Sequence, residues 1–216
     1  MINIITIERE YGSGAPTTGR LLANRLGWQL WDHEITAEIA KRLKCDVRKV
    51  EEREERPDPA YYRLLKAFMR GSYEDRVGSG GLDLLDADSI AGLFENIILD
   101  IAARGKCVII GRGAPWFLRN RRDAFHLFLY APHDEKMRRI TASGRTEAEA
   151  EDLIERVDRE RAAFVKKYYD MTWPTRHLYH LMMNSKVGDE LVAELVLREI
   201  AVLNRRNQPN DQTVAS

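Results

Sequence analysis

Short apolar runs alternate with longer segments of helical periodicity along this chain. The runs lie at residues 2–7, 28–31, 107–110, 125–130 and 178–183, and each has the length of a strand. The run at 107–110 is entirely apolar, which predicts a central strand buried on both faces. Strands that alternate with helices indicate an α/β fold built on a parallel sheet.

Helices are predicted from periodicity and from capping residues. Leu22 lies on the apolar face of a first helix, which Gly27 ends as a C-cap residue. A long helix begins at Thr146, where Glu149 has the spacing of a capping box. The apolar positions of two further helices are Ile90, Phe94, Ile97 and Ile101 in one, and Leu191, Leu195 and Ile200 in the other.

Two stretches of the chain are less regular. Residues 46–81 combine the charge run EEREER, two prolines and GSGG, which indicates helical pieces on the surface bounded by flexible joints. Residues 207–216 have little to bury, and we expect a disordered tail there. We therefore expect a single domain at residues 1–206.

The composition of the 216-residue chain is that of a globular protein, with 44% hydrophobic and 31% charged residues. The 34 basic and 34 acidic residues give no net charge, which argues against a nucleic acid polymer or a membrane as partner. Any anion-binding site must therefore be local. Two cysteines cannot form a disulfide framework, and the absence of a signal peptide or membrane span predicts a cytoplasmic protein.

Ligands of parallel α/β sheets bind beyond the carboxyl ends of the strands. The first strand is followed there by EREYGSGAPTTGR, at residues 8–20. Its glycines can turn the backbone so that the N–H groups of Ser13, Gly14 and Ala15 point outward, next to the positive end of a helix dipole. This predicts an anion cradle; the alternative is a tight turn that only packs the helix on the sheet.

This segment can be aligned with a phosphate loop in two ways. In the first, residues 14–20 form a G-x-x-x-x-G sequence followed by arginine in place of lysine. Pro16 argues against it, because proline favours the first turn of a helix. In the second, which we adopt, the helix starts near Ala15, the loop is 11–14, and Thr17 lies in the first helical turn.

Charged residues at other predicted element ends are further candidates. Arg112 lies between two glycines after the central strand, where its planar guanidinium could grip a phosphate; the alternative is a surface arginine in a tight turn. Asp158 and Arg161 are three residues apart and share one helix face; the alternative is a solvated charged face. The same alternative applies to Arg138 and Arg139.

These motifs, in this order, resemble the cytidylate-kinase-like group of P-loop nucleoside monophosphate kinases. The resemblance extends over residues 1–203 and is carried by REYGSGA at 9–15, WQLWD at 28–32, VIIGRG at 108–113, FLYAP at 128–132 and DRERAAFVKKYY from 158. It implies a P-loop NTPase fold, in which a five-stranded parallel sheet is flanked by helices. It also implies a nucleoside-monophosphate-binding region at about 46–83 and a helical lid at about 136–171.

The resemblance also implies a role for each matching residue. Asp32 and Arg112 would bind the acceptor substrate, with Arg112 on its phosphate. Asp158 and Arg161 would meet the nucleotide and the transferring phosphoryl group, so the implied catalytic residues are these two and Arg112. Thr17 would supply the hydroxyl that binds Mg²⁺. The residues implied to bind ATP are Gly12, Ser13, Gly14, Ala15 and Thr17.

The sequence departs from the family pattern at four positions. Ala15 stands where a phosphate loop usually has lysine, and the following Pro16 has no N–H to donate. Ile154 stands at the first arginine of the lid motif, and Gly113 stands at the aspartate of a GRD motif. The candidates to replace the missing lysine charge are Arg9, Arg20 and Arg159.

The function implied by the resemblance is an ATP-dependent phosphotransferase that acts on a nucleoside monophosphate, with CMP as the default acceptor. The missing lysine keeps an alternative open, a nucleotide-binding regulatory or assembly protein with little catalysis. A phosphotransferase with a non-nucleotide acceptor is a third possibility. Nucleotide substrates are the expected partners, and we expect a monomer or a homodimer.

Overall fold

The computed structural model describes residues 1–32, 34, 35, 38 and 87–206. The expected nucleoside-monophosphate-binding region at 46–83 and the expected tail at 207–216 lie outside the described residues. All structural statements below concern the described part of the chain. Within it, no helix combines the length and the apolar character needed to cross a membrane.

Five parallel strands form one sheet, as the sequence predicts. They are β1 (Ile4–Arg9), β2 (Gln29–Trp31), β3 (Cys107–Ile110), β4 (Ala124–Tyr130) and β5 (Leu181–Asn184). Their order in the sheet is β2-β3-β1-β4-β5. Ile4 pairs with Cys107 on one side and with Ala124 on the other, so β1 lies at the centre.

Six α-helices have both ends within the described residues; five of them lie between strands and the sixth follows β5. They are α1 (Ala15–Leu26), α2 (Ala87–Arg104), α3 (Ala114–Phe117), α4 (His133–Ala142), α5 (Glu147–Tyr169) and α6 (Asp189–Arg206). Two capping predictions are confirmed. Gly27 ends α1 in the left-handed conformation, with φ 65°, and Thr146 and Glu149 form both bonds of a capping box at the start of α5.

The core consists of two apolar layers, one on each face of the sheet. Ile5 and Ile7 face α1 and α6, whereas Ile4 and Ile109 face α2 and α5. Seven apolar residues from the predicted strands at 2–7, 107–110 and 125–130 are fully buried in the sheet: Ile4, Ile5, Val108, Ile109, Ile110, Leu127 and Leu129. The apolar run at 107–110 is therefore buried on both faces, as expected for an inner parallel strand.

Three sequence predictions need correction. The first strand spans Ile4–Arg9 rather than residues 2–7, because the sheet pairing continues through two charged residues. The segment 178–183 is not one strand: a 3₁₀ turn at Arg176–Leu178 precedes the shorter β5. On the closing helix, Leu191 and Leu195 are exposed, and the buried face is formed by Val192, Ala193, Val196 and Ile200.

Candidate functional site

The glycine loop lies between β1 and α1, at the carboxyl end of the central strand. Gly12 and Gly14 have φ values of 77° and 83°, which side chains other than glycine rarely adopt. The helix starts at Ala15, as predicted, and the N–H groups of Thr17 and Thr18 both bond to the carbonyl of Gly14. The N–H groups of Gly14 and Ala15 precede these first intrahelical bonds, which is the arrangement that favours anions at a helix N-terminus.

Ser13 stabilises the loop from within. Its N–H and its hydroxyl both donate to the carbonyl of Glu10, at 3.3 and 2.8 Å. The expectation that the Ser13 N–H points outward is therefore wrong, because that group already has an acceptor inside the turn. Thr17 is half-buried in the first turn of α1, whereas the hydroxyl of its neighbour Thr18 lies 3.5 Å from Asp189.

Helix α4 rests directly on this loop. A Cβ on Gly12 would lie 3.1 Å from the Cβ of Lys136 and 3.0 Å from Cδ1 of Ile140. A Cβ on Gly14 would overlap the guanidinium of Arg139. The two glycines therefore allow one face of α4 to approach the loop more closely than any other residue type permits.

Arg139 is fixed above the N-terminus of α1 by three acceptors. Its guanidinium donates to Glu135 at 2.6 Å, to Asp189 at 2.8 Å and to the carbonyl of Ser185 at 3.3 Å. Hydrogen bonds from Arg138 and Arg139 lower the pKa of Glu135 to about 2. The solvated-face alternative is wrong for Arg139, whose side chain is 11% exposed, and holds for Arg138, which is 67% exposed.

Helix α5 contacts the same loop through Asp158 and Arg161. Asp158 accepts from the N–H of Tyr11 at 2.9 Å and from Arg161 at 2.8 Å. Arg161 also donates to the carbonyl of Arg9 at 2.8 Å. The structure thus brings these two predicted residues together and places them on the end of β1. Arg161 is 1% exposed, so the solvated-face alternative is wrong here as well.

Three arginines are the largest fully buried side chains of the described chain: Arg9, Arg112 and Arg161. Arg9 lies against Gly111, where any Cβ would overlap its guanidinium. Arg112 follows directly, is 0% exposed and has a φ of 60°. The alternative of a surface arginine in a turn is therefore wrong. The guanidinium of Arg9 lies at the turn that carries Arg112, at the carboxyl ends of the neighbouring strands β1 and β3.

Burial shifts the ionisation of this cluster. Burial, and then the nearby charge of Arg9, lower the pKa of Arg161. Burial raises the pKa of Asp158, against the opposing effects of Arg161, of Lys136 and of the Tyr11 N–H. Both directions follow first from burial, which removes water from the charged form of each group, and for Arg161 also from the like charge of Arg9.

Asp32 lies at the same edge of the sheet, directly after β2. It is 2% exposed, and its Oδ1 atom is buried without a hydrogen-bond partner among the described residues. Since Trp31 pairs with Ile109, Asp32 stands one strand away from the turn that carries Arg112. The sequence therefore placed Asp32 and Arg112 correctly at one end of neighbouring strands.

The sequence left the replacement for the loop lysine open among three arginines. Arg20 and Arg159 are exposed, and only Arg9 belongs to the buried cluster. Sequence reasoning did not identify Lys136, which contacts the loop, and it named Arg139 without predicting that contact. One sequence signal could have drawn attention to the two turns together: residues 12–16 read GSGAP and residues 111–115 read GRGAP.

The fold is shared with proteins of known structure. The crystal structure of an uncharacterized protein from Eubacterium ventriosum is similar with a TM-score of 0.66 and 20% identity, over 93% of this chain and 99% of that one. Shikimate kinase from Acinetobacter baumannii, in complex with shikimate, is similar with a TM-score of 0.51 and 17% identity, over 94% of both chains. The architecture is thus the P-loop NTPase fold, a five-stranded parallel sheet flanked by helices.

A family assignment follows from the sequence itself. Residues 4–187 match the model of the cytidylate kinase-like family, which is most of the chain. The protein therefore belongs to the cytidylate kinase-like family, and the resemblance drawn from its motifs is confirmed. No curated protein sequence gives a significant match.

Proposed function

We propose that this protein is an ATP-dependent phosphotransferase that moves the γ-phosphoryl group of ATP to a nucleoside monophosphate, with CMP as the default acceptor. The observation that carries the proposal is the presence of three fully buried arginines at the carboxyl ends of β1 and β3, beside a glycine loop at a helix N-terminus. Arg9 ends β1, Arg161 donates to the carbonyl of Arg9, and Arg112 follows β3. Phosphoryl transfer depends on positioning and on neutralising charge rather than on covalent chemistry. Guanidinium groups in a site with little water supply that neutralisation.

The donor nucleotide would bind at the loop. The N–H groups of Gly14 and Ala15 would donate to its phosphates, at the positive end of α1. Mg²⁺ prefers hard oxygen ligands, and the hydroxyl of Thr17 in the first turn of α1 fits that preference. No group of three histidine, cysteine or carboxylate side chains in the described ranges could hold a metal alone, so nucleotide phosphates would complete the coordination. When bound, the ion neutralises phosphate charge.

The acceptor would bind at the ends of β2 and β3. Arg112 would hold the acceptor phosphate, because its backbone follows a strand that is rigid and fully buried. Asp32 would accept a hydrogen bond from a hydroxyl of the acceptor, since its buried Oδ1 atom has no partner in the described part of the chain. Together they would orient the acceptor toward the loop.

Asp158 and Arg161 would act on the loop from α5. Both hold backbone groups of residues 9–11, so that movement of α5 would be transmitted to the phosphate site. We assign the lid to about 136–171, which contains most of α4 and all of α5. Its closure would exclude water from the transferring phosphoryl group.

A second candidate function follows from the loop itself. Ala15 replaces the usual lysine, and Arg139 is already bound by carboxylates, which favours a nucleotide-binding regulator with little catalysis. The buried carboxylate of Asp32 also suits a small hydroxylated acceptor that is not a nucleotide.

A coupled assay of ADP release separates these functions. ATP and Mg²⁺ are held constant while each nucleoside monophosphate is added in turn, followed by small polyhydroxylated acids. Turnover with one nucleoside monophosphate supports the proposal, and turnover with a hydroxy acid alone supports the non-nucleotide acceptor. Tight ATP binding without turnover supports the regulator, and absence of ATP binding contradicts both the enzyme and the regulator.

A further inference from the structure

We infer that Lys136 on α4 supplies the lysine charge that the phosphate loop lacks at Ala15. The inference deepens the proposed function and rests on it, since it names a further residue for the same phosphate site. Its basis is the position of α4: the helix lies on the loop, and Lys136 is one of the α4 residues that contact the loop glycines.

The stem of Lys136 begins at the loop. Its Cβ lies 3.1 Å from the position that a Cβ of Gly12 would take, and the residue is 8% exposed. A lysine side chain has four methylene groups, so its ammonium can reach any part of a four-residue turn against which its Cβ packs. The usual loop lysine reaches the same phosphates from the other direction, from the first turn of the following helix.

The Lys136 ammonium is paired with two carboxylates beside the phosphate loop. Nζ lies 2.6 Å from Glu10 and 3.6 Å from Asp158. Glu10 precedes the loop, and Asp158 holds the N–H of Tyr11 within it. The ammonium therefore lies between two carboxylates that flank the loop. A bound polyphosphate carries more charge than either carboxylate, so it can compete with them for the ammonium.

Arg139 is less suited to this role, although it lies on the same face of α4. Its planar guanidinium is fixed by Glu135, Asp189 and the carbonyl of Ser185. An ammonium is a compact charge with three donors that turns on a flexible stem, so it can change partners without losing its place. Arg139 therefore borders the site, and Lys136 is the cation that can follow the phosphate.

In the transfer step the bond between the γ-phosphorus and the β,γ-bridging oxygen of ATP breaks, and that oxygen keeps the electron pair on ADP. A phosphate oxygen of the acceptor forms the new bond to phosphorus. Lys136 would neutralise charge on the β- and γ-phosphate oxygens during this exchange, as the missing loop lysine does in other P-loop proteins.

The first measurement is calorimetric titration with ATP, ADP and inorganic tripolyphosphate. Lys136→Met keeps the stem on Gly12 and removes the charge. We expect it to lower the affinity for ATP and tripolyphosphate by about 10- to 100-fold, which is the range of a charged hydrogen bond. The affinity for ADP should fall less. Lys136→Arg should keep part of the affinity. Lys106→Met, which removes an exposed lysine directly before β3 at the opposite end of the sheet from the loop, is the matched control and should change none of the three.

Two further variants test whether the Lys136 ammonium binds phosphate or only forms a structural ion pair with Glu10. Glu10→Gln removes the main partner of Lys136 but leaves the ammonium free to bind phosphate, so it should keep or raise the affinity for tripolyphosphate. The double variant Ala15→Lys with Lys136→Met returns a lysine to the loop. It should recover most of the affinity, and also the ADP release, that Lys136→Met loses.

The outcomes distinguish this inference from the function on which it rests. If the unaltered protein binds ATP and Lys136→Met binds ATP and tripolyphosphate equally well, the inference is wrong and the proposed function stands. A loss in Glu10→Gln equal to that in Lys136→Met also overturns it, because the ion pair alone then explains the effect. If the unaltered protein binds neither ATP nor tripolyphosphate, both proposals fail.

Discussion

The two glycine turns of this protein share a sequence pattern and differ in what they present. One follows β1 and reads GSGAP at 12–16; the other follows β3 and reads GRGAP at 111–115. In both, the second glycine caps a helix in the left-handed conformation, with φ, ψ of 83°, 11° at Gly14 and 71°, 11° at Gly113. In both, alanine and proline form the first two helical residues.

The middle residue separates the two turns. Ser13 turns its hydroxyl back onto the loop, and the helix that follows has 12 residues. Arg112 itself adopts a positive φ of 60°, and its helix has 4 residues. The first turn therefore offers backbone N–H groups with a helix dipole behind them, whereas the second offers a buried guanidinium on a rigid strand end.

What covers each turn differs as well. Helix α4 lies on Gly12 and Gly14, and its Arg139 side chain keeps some contact with solvent. Gly111 is covered by Arg9, which is 1% exposed. One turn is thus covered by a helix that lies outside the sheet, and the other by a residue of the central strand. We therefore expect substitutions beside Arg9 to reduce the stability of the fold most, and substitutions under α4 to reduce ATP affinity.

The largest effect is expected for Gly111→Ala. Its Cβ would overlap the guanidinium of Arg9, which is fully buried and has no room to move, at a φ of 66° that alanine rarely adopts. We expect a loss of roughly 4 kcal/mol in the free energy of unfolding, measured by urea denaturation. Gly144→Ala is the control: φ is 96° and nothing lies within 4 Å, so strain alone should cost about 1 kcal/mol. Equal losses would contradict this account of Gly111.

Gly14→Val tests the other turn. The added side chain displaces Arg139 from its acceptors and is strained at a φ of 83°, so stability should fall by roughly 2–3 kcal/mol. The fold should remain intact, because Arg139 keeps some contact with solvent whereas Arg9 does not. ATP affinity should fall by at least about 100-fold, or ~2.7 kcal/mol, because the valine fills the space in front of the loop N–H groups. Gly27→Val, at the open end of the same helix, should leave ATP affinity unchanged. If ATP affinity were unchanged in Gly14→Val, the loop would not be part of the ATP site.

Arg112→Ala should lower the affinity or turnover for the acceptor without changing the affinity for ATP. Losing a charge-assisted contact costs roughly 1.5–3 kcal/mol, which corresponds to about 10- to 100-fold in acceptor affinity or turnover. Arg112→Lys should recover only part, since it keeps the charge without the planar fork. ATP affinity should barely change in either variant. A collapse of ATP binding with normal acceptor dependence would place Arg112 on the donor instead.

The smallest effect is expected for Ser13→Ala. It removes the hydroxyl bond to the carbonyl of Glu10 but leaves the backbone turn in place. We expect about 1 kcal/mol less stability in urea denaturation and less than about a threefold change in ATP affinity. A loss of affinity above about tenfold would show that this hydroxyl contacts the nucleotide.

The sheet could be predicted from the sequence because its determinants are local. The run at 107–110 is apolar at every position, and its four residues have the length of a strand rather than of a helix. The buried face of α6 could not be predicted in the same way. Leu191 and Leu195 are as apolar as Val192 and Val196, and only the packing of α6 against the sheet decides between them.

The site was predictable where it depends on strand ends and unpredictable where helices cross it. Arg112 and Asp32 follow strands directly, so their position results from chain order. Lys136 and Arg139 reach the loop because α4 lies across it, and their partners Glu10 and Asp189 are distant in sequence. Periodicity places such residues on a helix face but does not say what that face meets.

The bond between Tyr11 and Asp158 makes one amide proton a reporter for the motion of α5. In most of a sheet, an amide exchanges with solvent when strands separate, as for Glu10, which donates to Leu129, and Gly111, which donates to Ile7. The Tyr11 N–H is instead donated to a side chain of α5, so its exchange measures how often Asp158 leaves the loop. Hydrogen-exchange experiments can compare its rate with the rates of Glu10 and Gly111. A faster rate for Tyr11 would show that α5 leaves the loop more often than the strands separate.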